Sequence, residues 1–255
     1  MSKRSLGVGT ISLERSLIAQ TLILTDRVIS KYRLGVTTVW EPEWMMARDA
    51  LAHAIAVAPG QTHLRASLRY CEGHLHRISG DARKRKNEMA AAQQEFAGAV
   101  TAFREAAQLR SDWPDPFLGL ARTFIAGLAD LDRGADALSQ AERRGHKPGE
   151  REILQLAEGY RERGDTLARS ARQLAGMPQE ESHLVRAVAA YEQALALYLK
   201  IVGVGDTTRK IRLTQRGLER VRQRQNELTQ PTTTPDMETD DTRASTARAP
   251  RTLTR

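Results

Sequence analysis

At 255 residues the chain is long enough to bury the core of one or two ordinary domains. Aromatic residues make up only 5% of it and runs of β-branched residues are missing, which argues against sheets and for an all-α fold rich in Ala, Leu, Arg, Glu and Gln. A single cysteine, Cys71, excludes an internal disulfide framework and fits a reducing, cytoplasmic compartment, and no apolar run is long enough to span a bilayer. The net charge of +8 is unevenly spread. Residues 1–40 hold six basic and two acidic side chains, residues 205–230 hold seven and three, and residues 41–204 hold 22 of each.

In chain order, residues 1–40 come first as a basic, amphipathic helical segment. A helix over 12–32 would place Leu13, Leu17, Leu24 and Val28 on one apolar stripe. Gln20 and Thr21 interrupt that stretch and no small-residue cleavage site follows, so it reads as an amphipathic helix rather than a secretory signal. If the segment instead docks to a neighbouring subunit or a membrane surface, Leu22, Ile23 and Leu24 would be partly exposed, as in a homodimer or a module of a larger assembly.

Residues 41–204 carry a repeat. Ala47, Leu51, Ala54 and Val57 precede Pro59; Ala99, Phe103, Ala106 and Leu109 precede Pro114; Gly134, Leu138 and Ala141 precede Pro148; Ala187, Tyr191, Ala194 and Leu197 form the fourth instance. Residues at i, i+4 and i+7 share one helix face, where small side chains let a second helix approach and the larger one fills the groove. Partner helices carry a second signature: Phe117, Leu120, Ala121 and Phe124 in one, Ile153, Leu156, Ala157 and Tyr160 in another. This pairing resembles the tetratricopeptide repeat over roughly residues 41–200. The spacings between starts are 52, 35 and 53 residues, whereas that family repeats about every 34. The surplus of about 18 residues is five helical turns, which keeps the face in phase. It falls in enlarged hairpins over 61–110 and 150–200. Each would hold either two long helices or three short ones broken at Gly80-Asp81 and Gly164-Asp165.

Residues 205–230 form a basic C-terminal end helix. Over 207–228, Ile211, Leu218, Val221 and Leu228 share one face and Arg212, Arg216, Arg220 and Arg224 run along another. A stack of repeats needs such end helices, apolar on one side only. Residues 231–255 are a Thr/Pro-rich tail with almost nothing to bury, and such a composition implies disorder.

Motifs with the residue types for chemistry are few. "CEGHLH" places Cys71 and His74 on one helical face with His76 elsewhere, short of the four ligands in two close pairs that zinc takes, so no metal is expected. "GVGT" at 7–10 and "GVGD" at 203–206 complete no phosphate-binding loop and read as helix-ending turns, with Asp206 placed to cap the last helix. Gly164-Asp165 of "RGD" also reads as a turn. No nucleophile motif is present, so neither an enzyme nor a cofactor is expected.

The resulting expectation is a curved all-α hairpin solenoid, a tetratricopeptide-like superhelix with an end helix on each side. It would act as a non-catalytic scaffold or adaptor for a protein or peptide partner. Resemblance to the family implies ligands held in the concave groove by the first helix of each pair. Carried over position by position, it points to Leu118, Arg122 and Ile125 in one hairpin and to Arg151, Gln155, Glu158, Arg161 and Glu162 in the next, all read as lying off the apolar packing face. Leu118, Gly119 and Arg122 stand where members that clamp chaperone tails use Asn and Lys, which argues against that ligand. The alternative is a basic helical nucleic-acid-binding or assembly factor acting through Arg212, Arg216, Arg220 and Arg224 together with the "RKRK" run at 83–86.

Overall fold

The computed structural model describes residues 3–34 and 40–229, with side chains over 12–33 and 40–229. Among them the secondary structure is entirely helical: α1 (Lys3–Leu34), α2 (Glu41–Val57), α3 (Thr62–Arg85), α4 (Met89–Leu109), α5 (Asp115–Arg122), α6 (Leu131–Arg143), α7 (Glu150–Gln173), α8 (Gln179–Leu199) and α9 (Thr207–Thr229). A π-helical turn, Thr123–Gly127, prolongs α5. Residues 35–39 and the tail from 230 lie outside the described residues, and with them the expectation of a disordered tail.

Each helix packs chiefly on its neighbours in the chain. The α3/α4 and α7/α8 hairpins are the most extensive, followed by α8 on α9, α2 on α3 and α5 on α6. The small-large-small repeat is the buried face of the second helix of each pair: Ala47, Leu51 and Ala54 in α2, Ala99, Phe103 and Ala106 in α4, Gly134, Leu138 and Ala141 in α6, Ala187, Tyr191 and Ala194 in α8. The partner signature is buried as well, at Phe117, Leu120, Ala121, Phe124, Leu156, Ala157 and Tyr160.

The enlarged hairpins each consist of two long helices. α3 and α7 have 24 residues and α4 and α8 have 21, against 13 in α6. Gly80-Asp81 and Gly164-Asp165 lie inside α3 and α7, so neither pair is the turn that its composition suggests. The reason is packing. A Cβ at Gly80 would lie 2.7 Å from the Phe96 ring, and one at Gly164 would lie 2.8 Å from Tyr191. Each aromatic ring sits between two such notches: Phe103 between Gly73 and Gly119, Phe96 between Gly80 and Gly127, Tyr191 between Gly164 and Gly217. A glycine inside a helix costs about 1 kcal/mol of propensity, and the ring it admits offsets that by burying its whole face. Gly7–Thr10 also lies inside α1, because glycine lowers helix propensity without removing a hydrogen bond, as proline would. Of the expected glycine turns only 203–206 is one, with Gly203 at φ +92° and Gly205 at +54° between α8 and α9.

Helix starts follow from short polar contacts. Glu43 accepts from the Trp40 N–H at the head of α2 (3.2 Å), Asp130 from the Arg133 N–H in α6 (3.0 Å), and Glu152 from the Gly149 N–H in α7 (2.7 Å). The apolar core is densest between α1 and α4. His74 stacks on Trp44 at 4.1 Å between ring centres, with the rings of Tyr32, Tyr70 and Phe103 within 5.0 Å of it. Burial pushes the His74 pKa well down and that of the neighbouring Cys71 thiol up to about 12, so both are neutral. His76 points outward to Glu95 at 2.8 Å, which separates it from Cys71 and His74. Among its described side chains α1 is buried at Thr21, Thr25, Val28, Ile29 and Tyr32. Leu13 is 72% exposed, Leu17 is exposed, and Ile23 projects to solvent between the half-buried Leu22 and Leu24. Among the described residues no helix is long and apolar enough to cross a membrane.

A candidate interaction cleft between α7 and α9

The groove positions carried over from the family do not form one surface. Leu118 is fully buried, which overturns the expectation that it lies off the packing face: α5 is only eight residues long and seven of them are covered. Arg122 reaches across to α7, where it pairs with Glu152 at 2.5 Å and lies 4.2 Å over the Tyr32 ring. Ile125 is half-buried against Gly134. Along α7, Arg151, Gln155 and Glu162 are exposed, Glu158 pairs with Lys210 of α9, and Arg161 pairs with Asp165 at 2.6 Å.

A cleft of about 580 Å³ opens further along the same helix. α7 and α9 lie side by side over α8, tied at one end by Glu158–Lys210 and by the Tyr191 ring between Gly164 and Gly217. From that tie onward small residues leave room between the walls. Gly164, Ala168 and Ala171 recur at i, i+4 and i+7 on α7, and Gly217 and Val221 face them from α9. Leu184 and Tyr191 of α8 form the floor.

The rim is basic. Arg169 and Arg172 of α7 and Arg220 and Arg224 of α9 line the opening. Arg224 is engaged, reaching Glu180 at 2.7 Å and Glu227 at 3.2 Å, and its guanidinium holds the Glu180 carboxyl below the usual carboxylate range. Asp165 is engaged too, by Arg161 and by the Tyr191 hydroxyl, which donates to it at 2.7 Å. Arg169, Arg172 and Arg220 touch no carboxylate among the described residues. Their hydrogen bonds go to Thr166, the Ala168 carbonyl and the Arg216 carbonyl. Three uncompensated guanidinium groups over an apolar floor suit an extended segment that offers carboxylates and an aliphatic side chain.

The arginine row of α9 is therefore divided. Arg220 and Arg224 belong to the cleft, while Arg212 and Arg216 stand exposed outside it. Arg169 and Arg172 are the residues that sequence reasoning missed. Their signal was the run of small residues at helical spacing beside them, which leaves room on α7 that larger side chains would fill. Among the described residues no three His, Cys, Asp or Glu side chains are placed to hold a metal ion. No family model, curated protein or solved structure matches the chain.

Proposed function

We propose that the chain is a non-catalytic interaction module. Its hairpins would stack as a tetratricopeptide-like solenoid and hold an acidic, partly apolar segment of a protein partner between α7 and α9. The observation that carries this reading is the cleft, with its apolar floor and three arginines that touch no carboxylate among the described residues. The glycine–ring–glycine packing supports the solenoid, since α4 and α8 each meet the helix before and the helix after in the same way. Phosphate binding along α9 is the weaker reading, because Arg220 and Arg224 line the cleft and, of that arginine row, only Arg212 and Arg216 lie outside it.

Selection of random peptides displayed on phage against the full chain tests the proposal. The expected consensus carries two or more acidic residues beside an apolar one, and the selected peptides lose binding to the triple variant Arg169→Glu, Arg172→Glu, Arg220→Glu. Peptides without acidic enrichment, or with equal affinity for that variant, would overturn it.

A further inference from the structure

The chain itself holds a segment of the chemistry that the cleft accepts. Pro235-Asp236-Met237-Glu238-Thr239-Asp240-Asp241 has four carboxylates, no basic residue and one flexible apolar side chain. The remaining tail, 242–255, is opposite in sign, with Arg243, Arg248, Arg251 and Arg255 and no acid. The acidic block is therefore the part of the tail nearest to α9.

Reach decides whether it can be used. α9 ends at Thr229, one residue before Gln230-Pro231, where proline disfavours further helix. Asp236 lies seven positions beyond Thr229, and an extended chain spans at most roughly 3.5 Å per position, about 25 Å in all. Arg220 lies nine residues back along α9, about 13 Å at the helical rise. The tether is long enough to turn at Pro231 and return alongside the rim.

We infer that residues 236–241 occupy the α7–α9 cleft of their own chain as a tethered competitor for the partner. The carboxylates meet Arg169, Arg172 and Arg220, and Met237 lies over Leu184 and Val221. A partner then binds by displacing the tail, so its apparent affinity is set by the tail as well as by the cleft. Any modification of the tail that adds negative charge strengthens the block.

This inference rests on the cleft being a binding groove, and its test separates the two. The probe is a fluorescein-labelled synthetic peptide of residues 232–243 held at submicromolar concentration, its polarisation followed as each full chain is titrated up to several hundred micromolar. Three chains are compared: the unaltered chain; one with Asp236→Asn, Glu238→Gln, Asp240→Asn and Asp241→Asn; and that chain with Arg169→Glu, Arg172→Glu and Arg220→Glu added. The peptide should bind the tail-neutralised chain roughly tenfold tighter than the unaltered one. That ratio is what a competitor at about 1 mM effective concentration produces at a site of about 100 μM affinity. Binding should vanish in the third chain and weaken as NaCl rises from 50 to 300 mM. Equal affinity for the first two chains, or binding that survives in the third, overturns the inference. If display-selected peptides bind the cleft and residues 232–243 do not, the tail assignment fails and the groove stands. If neither binds, both fail.

Discussion

Replacing Glu152 with glutamine tests how the middle of the chain is held together. Glu152 is 8% exposed and joins three parts of the fold: it accepts the Gly149 N–H that starts α7, the Arg122 guanidinium from α5, and His146 Nε2 at 3.4 Å from the loop between. Burial alone would raise its pKa. His146, Arg122 and the Gly149 N–H more than offset burial and bring the carboxyl down to about 2, against an ordinary 4.5. At about 1.4 kcal/mol per unit this is roughly 3 kcal/mol of stability at neutral pH. A depressed carboxylate contributes in full above its unfolded pKa and loses that contribution as pH falls through its folded one, so about 1.5 kcal/mol remains at pH 3. The amide of Glu152→Gln still accepts the Gly149 N–H but leaves Arg122 without its countercharge. The expected penalty is about 2–3 kcal/mol at pH 7, shrinking by at least about 1 kcal/mol at pH 3. Urea unfolding followed by circular dichroism, run for both chains at both pH values, measures it. A penalty below about 1 kcal/mol at pH 7, or one that does not change with pH, would refute this account of the α5–α7 junction.

Other substitutions probe the rest of the fold. Gly164→Ala puts a methyl 2.8 Å from the Tyr191 ring and should cost about 1–3 kcal/mol in chemical denaturation despite a better helix propensity. Gly60→Ala meets nothing within 4 Å and should be neutral, which makes it the control. Ala129, at φ +54° between the π turn and α6, should gain about 0.5–1 kcal/mol as Ala129→Gly, a Tm rise of roughly 1–3 °C by calorimetry. Cys71, buried and with its thiol pKa near 12, should react with Ellman's reagent only as fast as the chain opens, and prompt native-state labelling would contradict its placement.

The helical hairpins were legible because their packing face recurs. Ala47-Leu51-Ala54 and its three counterparts are buried where the spacing put them, and the five-turn surplus kept later repeats in phase. Residues read on local composition were less secure. Glycine beside aspartate has the chemistry of a turn, and only the position of Phe96 or Tyr191 on the partner helix shows that the glycine is a notch. Leu13 and Leu17 continue the apolar stripe of α1 but run past the neighbour that would cover them, and Val57 likewise emerges at the end of α2. At the candidate site, periodicity placed Arg220 and Arg224 on one face of α9, but not that α7 would supply the opposite wall. Residues 151–162 were chosen as off the core, which is necessary for a groove. Missing was the spacing between two helices that are not neighbours in the chain, and that follows from the small side chains of α7, α8 and α9 together.

The most direct test of the central claim is affinity capture from source-cell lysate with the full chain, with and without nuclease. One variant carries Arg169→Glu, Arg172→Glu and Arg220→Glu, and the other carries Arg212→Glu and Arg216→Glu on the outer face of α9. The account predicts protein partners that survive nuclease, persist with the outer-face variant and vanish with the cleft variant. Capture that disappears on nuclease treatment and with the outer-face variant, while the cleft variant retains it, would make α9 a phosphate-binding surface and contradict the cleft as the working site.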